Sequence, residues 1–248
     1  MLSLFITLKK YMMTYFEGPD GSMSSTLSIR WFDLGAPRAV PDPYAELHLW
    51  SFSLGDDCVV ALKKECLVER EIIRANEFVT RDLRTRFVRA RAGLRCVLGM
   101  YLGLPPRNVP LASLLGGKPC LVDENLHFNL SHTDTRALVA VSAGGPVGVD
   151  LEDVRLTPNC MSLARRWFSH DEICWIGSED NIDRAFLRCW VRREAFLKSI
   201  GVGLSMPLNT FSLTPPPEQA VVRSEKWNVR VHELLPDRHW VGAVAVCF

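Results

Sequence analysis

From Glu46 to Leu54 the chain reads ELHLWSFSL, with apolar and polar side chains on alternate positions. Successive side chains on a strand point to opposite faces, so this alternation predicts a half-buried strand. Similar short strands are expected at 126–130 (LHFNL), 137–141 (ALVAV), 147–154 (VGVDLEDV), 227–231 (WNVRV) and 241–246 (VGAVAV). Between them the apolar positions shift to helical spacing. One helical region, read as two helices, is predicted over 56–102, ending at Leu104-Pro105-Pro106, where proline cannot extend a helix. A second helical stretch is predicted over 158–200.

Strand, helices, strands therefore run twice. The letters repeat as well: residues 87–99 read FVRARAGLRCVLG and residues 190–201 read WVRREAFLKSIG. The pattern predicts an α+β protein of two similar α/β halves, 46–142 and 143–248, related by pseudo-two-fold symmetry with an active-site cleft between them. One mismatch in the repeat is informative: Arg91 falls where the second half has Glu194. Residues 1–45 contain GPDGSMSS and APRAVPDP, rich in turn formers, and read as a poorly structured N-terminal extension with Met23 as an internal start.

Composition narrows the function classes. With 248 residues, 48% hydrophobic and 23% charged, the chain has the make-up of an ordinary globular protein. A net charge of +1 gives no bulk attraction to nucleic acid or membrane, so any anion site is local. No apolar run is long enough to span a bilayer, and the lysines of MLSLFITLKKYMM follow the apolar stretch instead of preceding it as in a secretory signal. Eight cysteines without a CxxC read as thiols of a cytoplasmic protein.

Asp150 and Glu152 interrupt a strand at alternate positions, which puts both carboxylates on one face about 7 Å apart. Like charges that close repel unless a cation sits with them. Glu194 and Lys198 are four apart, one turn along a helix face. An isolated pair of that kind is usually a solvent-facing ion pair, but here it lies in a basic neighbourhood, Arg192-Arg193-Glu194 through Lys198, that runs into Gly201-Val202-Gly203-Leu204-Ser205. If Glu194 faces the 150/152 pair, three carboxylates from separate elements offer the oxygen-only ligand set suited to Mg²⁺. In Phe128-Asn129-Leu130-Ser131-His132-Thr133, adjacent side chains on an extended chain point apart, which argues against a Ser–His dyad. Ser131 and His132 either grip a phosphate or belong to a structural turn. Gly116-Gly117-Lys118-Pro119 is either a turn or a place where backbone and a lysine approach phosphate; it is not a Walker loop.

GGKP, FNLSHT, VGVDLE and WVRREAFLKSIGVGLSMPL, in this order and spacing, resemble the 4′-phosphopantetheinyl transferases of the Sfp type from about residue 47 to the C-terminus. The two-half layout fits that type and not the short trimeric holo-acyl-carrier-protein synthases. The resemblance implies an enzyme that moves 4′-phosphopantetheine from coenzyme A to a serine of an apo acyl or peptidyl carrier protein, leaving adenosine 3′,5′-bisphosphate. It implies Mg²⁺, with Mn²⁺ as a second candidate, on Asp150, Glu152 and Glu194. It implies coenzyme A contacts at Arg74, Lys118, Ser131, His132, Arg193 and Lys198, with Arg91 or Arg86 as a further contact. Arg193 stands where the family usually has lysine, so reach and geometry differ there. Glu194, directly or through a metal-bound water, is the expected proton acceptor, and Lys198 the residue that protonates or neutralises the leaving phosphate. A monomer is expected, with the carrier docking near Arg165-Arg166-Trp167-Phe168-Ser169. Two rivals use the same residues: a Mg²⁺-dependent phosphodiester or pyrophosphate hydrolase, and a non-catalytic coenzyme A-binding protein.

Overall fold

The computed structural model of the chain describes residues 29–34, 46–55, 64–113, 117–122, 125–202, 213, 219–223, 226–234 and 238–248. Their elements, in chain order, are β1 (Ile29–Asp33), β2 (Leu47–Ser53), α1 (Glu69–Asn76), α2 (Arg81–Leu102), β3 (Leu111–Ser113), β4 (Pro119–Leu121), β5 (His127–His132) and β6 (Arg136–Ser142). There follow β7 (Val147–Asp153), α3 (Cys160–Trp167), α4 (His170–Ser178), α5 (Ile182–Ile200), β8 (Gln219–Arg223), β9 (Asn228–Leu234) and β10 (Trp240–Cys247). The protein is a mixed α+β molecule.

The strands form two four-stranded sheets, β1-β2-β6-β5 and β7-β10-β9-β8, with β3 and β4 pairing apart. All pairings are antiparallel except β1 with β2, which is parallel. In each sheet an opening strand (β2, β7) pairs with the closing strand (β6, β10), which pairs in turn with the strand before it (β5, β9).

Alternation along the strands sorts residues into three cores. Trp50, Phe52, Val139 and Val141 turn to α2. Leu47, Leu49, Leu138 and Ala140 turn the other way and meet Val147, Val149, Leu151, Val244 and Val246 of the second sheet. Val241, Ala243 and Ala245 pack against Val191, Ala195 and Phe196 of α5. The result is helix, sheet, sheet, helix, each sheet buried on both faces.

Edge strand β7 lies against edge strand β5, and side chains meet its backbone groups: Asn129 Oδ1 accepts from Val149 N–H at 2.9 Å, and Lys118 Nζ donates to the Val147 carbonyl at 3.1 Å. Satisfying the backbone groups of an edge this way keeps it from recruiting another strand.

One expectation needs correcting, and two features go beyond what was expected. Strand β1 lies within 1–45, the stretch read as an extension, and pairs with β2 over Ile29 to Asp33; residues 1–28 and 35–45 lie outside the described residues. Its IRWFD is too short and too close to turn formers for periodicity alone to mark it. The second helical stretch is three helices, because the Ser169 hydroxyl and the Asn181 side chain cap new N-termini inside it. Strand β8, inside a region rich in proline, was not foreseen.

Candidate active site

On β7, the face opposite Val147, Val149 and Leu151 carries Gly148, Asp150 and Glu152, and this face meets α5. A Cβ added at Gly148 would lie 2.1 Å from the Ala195 carbonyl oxygen and 2.3 Å from Ser199 N, so only glycine lets the helix backbone rest on the strand. Directly beyond that contact, Lys198 Nζ binds Asp150 Oδ1 at 2.6 Å, and the Ser131 hydroxyl donates to the same oxygen at 2.8 Å. Asp150 is 5% exposed, and its second oxygen, Oδ2, is buried with no hydrogen-bond partner among the described residues. A buried carboxylate oxygen left this way is costly unless a cation or water joins it.

Glu194, on the same helix, projects into this field. Burial raises its carboxyl pKa; Lys198 opposes that, while the charges of Asp150 and Glu152 add to it. Burial and the Asp150 charge raise that of Glu152, against the pull of Arg155, which binds it at 3.0 Å, and of Lys198. The three acids thus sense one another across the β7–α5 contact. They do not close into a ready-made cage: among the described residues no group of three or more His, Cys, Asp or Glu side chains is placed to hold a metal, and Lys198 occupies Oδ1 of Asp150.

A cleft of about 530 Å³ opens beside Glu152. Phe78, Arg86 and Phe87 line it from α2 and the segment before it, His132 and Thr133 from the end of β5, and Glu152 and Arg155 from the end of β7. His132 is exposed, and because a carbonyl can only accept, its Nδ1–H donates to the Thr133 carbonyl at 3.2 Å, leaving Nε2 for a ligand. Arg86 pairs with Asp134. A second cavity of about 200 Å³ is lined by Arg91, Pro119 and again His132.

The sequence-predicted residues divide. Asp150, Glu152, Glu194, Lys198 and Ser131 come together, with His132 at the cleft. Arg91 leans on Glu71 at 3.4 Å and over the Phe87 ring, and burial lowers its pKa. Arg74 is exposed, paired with Glu77 and over the Phe78 ring. Arg193 is elsewhere: 1% exposed, it binds the buried Glu172 and lies over the Phe168 ring. Neighbouring helix positions differ by about 100°, so an arginine adjacent to Glu194 points away from it. Arg193, expected at coenzyme A, thus makes an interior ion pair in this structure. The GGKP lysine, Lys118, turns to backbone carbonyls of β7 and α5. At the expected docking stretch Phe168 is core and Trp167 is partly buried, which leaves Arg165 and Arg166 as the exposed part. The aromatic pair Phe78–Phe87, its centroids 5.2 Å apart between Arg74 and Arg91, was missed; Phe78 sits in a short link between helices that carries no periodic signal.

Residues 146–245 match the family model of the 4′-phosphopantetheinyl transferase superfamily. The chain is 35% identical over 214 residues to the 4′-phosphopantetheinyl transferase HetI of Nostoc sp., covering 81% of this chain and 87% of that one. The chain belongs to the 4′-phosphopantetheinyl transferase superfamily. A putative 4′-phosphopantetheinyl transferase of Synechocystis sp. is 30% identical over 70% of each chain. The transferase Sfp of Bacillus subtilis is 31% identical over 48% of this chain and 54% of its own. The resemblance carried by the four motifs is thus upheld, and the chain is an enzyme of the transferase class. Among the described residues, no helix is long and apolar enough to cross a membrane.

Proposed function

We propose that this phosphopantetheinyl transferase moves the 4′-phosphopantetheine of coenzyme A onto a serine hydroxyl of an apo carrier protein or carrier domain, releasing adenosine 3′,5′-bisphosphate. Beyond family membership, one observation carries the residue-level reading: Asp150, Glu152 and Glu194 face one another across the β7–α5 contact with a buried, unpartnered Asp150 oxygen. That donor set fits a hard divalent cation, Mg²⁺ or Mn²⁺, since it is oxygen-only and its mutual repulsion needs a positive partner. Asp150, Glu152 and Glu194 would hold such an ion, which would supply positive charge to offset that of a pyrophosphate.

The chain's own groups do the rest. The guanidiniums of Arg74, Arg86 and Arg91 near the Phe78–Phe87 pair offer local positive charge for the phosphates of coenzyme A, and His132, which lines both cavities, presents its ring to them. Glu194 accepts the serine proton; a carboxyl raised by burial is better matched to that task near neutral pH than an ordinary one. Lys198, held by Asp150 and 3.4 Å from Ser131 Oγ, is placed to neutralise the leaving phosphate. The active-site cleft lies between two halves related by pseudo-two-fold symmetry: three strands of each sheet pair alike, β2-β6-β5 and β7-β10-β9, while the fourth is added at opposite edges, and the larger cavity draws its walls from both halves. The halves divide near 142/143, between β6 and β7. The protein works as a cytoplasmic monomer, in keeping with seven described cysteines that are free thiols.

The test is to incubate the protein with coenzyme A, Mg²⁺ and an apo carrier protein and weigh the carrier. Gain of one phosphopantetheine on a serine supports the proposal. Free phosphopantetheine made without a carrier would identify a hydrolase, and unchanged coenzyme A a binding protein.

A further inference from the structure

A lysine ammonium has three N–H donors. In Lys118 all three have carbonyl partners: Val147 at 3.1 Å, Ser199 at 3.4 Å, and Lys198 in a short contact. Two of these acceptors belong to the last turn of α5, where carbonyls have no partner within the helix and carry the negative end of its dipole. The third belongs to the first residue of β7. Lys118 reaches them from just ahead of β4, after Gly117, whose φ of 84° gives the left-handed turn that aims it.

We propose that Lys118 is a positioning residue that clips the C-terminal turn of α5 to the start of β7, with Gly148 as the seat, and so sets how far Glu194 and Lys198 stand from Asp150. Clip and seat act on the same stretch of backbone, Lys198–Ser199. The backbone that a Cβ at Gly148 would strike belongs to Ala195, Lys198 and Ser199, and Lys118 holds the carbonyls of Lys198 and Ser199. Gly148 stands two residues before Asp150 on the same face of β7, and Ala195 follows Glu194 directly. With backbone lying on backbone, no flexible side chain absorbs a shift, so movement of the α5 end passes straight to the Asp150–Lys198 contact. A phosphate could take Lys118 only by drawing it off these carbonyls. What the positioned groups do rests on the transferase reading above; the clip itself does not.

Lys118→Met keeps most of the side-chain length and removes the ammonium. Three measurements then separate clip from phosphate ligand: thermal melting without substrate or metal, coenzyme A affinity by calorimetry at low and high salt, and steady-state transfer to an apo carrier protein. The clip predicts a melting temperature lower by several degrees. Coenzyme A affinity stays within about twofold with its salt dependence unchanged, and kcat falls on the order of 10²-fold, as for a misplacement near 1 Å. Lys118→Arg does not restore kcat, because a planar fork cannot serve three carbonyls arranged around an ammonium. Lys118→Gln, which keeps an N–H donor for the carbonyls, shows a smaller loss of kcat and melting temperature with affinity retained, and serves as the second variant if Lys118→Met fails to fold. Unchanged melting, together with weakened, salt-sensitive coenzyme A binding that Lys118→Arg recovers, would overturn the proposal. Should the wild-type protein transfer nothing, the transferase reading fails, and the melting comparison still decides the clip: loss supports it, no change rejects it.

Discussion

Helices α2 and α5 are built alike and used differently. Each starts at a side-chain cap, Thr80 or Asn181, ends at a left-handed glycine, Gly103 or Gly201, and packs on the outer face of its sheet. Each sends arginine to a buried glutamate in the first turn of a shorter helix: Arg91 and Arg95 to Glu71 of α1, Arg193 to Glu172 of α4. Both glutamates also accept a backbone N–H at their own helix start, from Val68 and Ser169. Beyond this the helices part. Acids that hold the fold are surrounded by arginine and backbone donors; Glu194 faces two other acids and one lysine. The lesson is that a structural charge sits with its opposite, whereas Glu194, the charge proposed for chemistry, is left in a field where charges of its own sign outnumber the opposite one.

The largest expected effect breaks the functional side. Glu194→Ala should reduce transfer by about 10³-fold or more, the scale of removing a general base and a charge-stabilising group together. Far-ultraviolet circular dichroism should stay native, and transfer near the wild-type rate would remove Glu194 from the mechanism. Next is the structural side: Arg193→Met leaves Glu172 charged and buried with its cation gone, which costs about 3–5 kcal/mol. Urea unfolding reads this loss. Coenzyme A affinity should hold in the protein that still folds, and a selective loss of that affinity would put Arg193 back in the site.

His132→Ala should weaken coenzyme A binding about tenfold, one phosphate contact's share at the low end of charged hydrogen bonds, with no change in melting. The fourth prediction concerns pH. Glu152 and Glu194 have pKa values raised on folding, so between the unfolded and folded values the native state binds more protons, and stability falls as pH rises. Metal-free protein should therefore melt higher as pH drops from neutral toward the ordinary glutamate value. Glu194→Gln should flatten that slope, and Mg²⁺ should raise the melting temperature of the wild type more than that of the variant. The smallest effect belongs to Arg74→Ala, whose exposed pair with Glu77 is worth at most about 1 kcal/mol. Its melting should barely move while coenzyme A affinity drops a few-fold; no drop would take Arg74 out of the phosphate site.

Much of this was legible in the sequence. Alternation located β2, β5, β6, β7, β9 and β10, because each buries at least one face and so must repeat apolar residues at every second position. Proline marked the end of α2. The shared face of Asp150 and Glu152 followed from the period of a strand alone. Strand β1 escaped because an edge strand of five residues takes its order from its partner.

What the linear pattern could not decide was direction. Arg193 and Glu194 are neighbours in the chain, and only packing shows one turned to Glu172 and the other toward β7. Lys118 reads from GGKP as a turn residue or a phosphate lysine, and only the fold brings the end of α5, eighty residues on, to its ammonium. Sequence fixes which groups exist and their period along one element, since both are local. Which groups meet depends on how sheets and helices stack, and that is set by burial summed over the whole core.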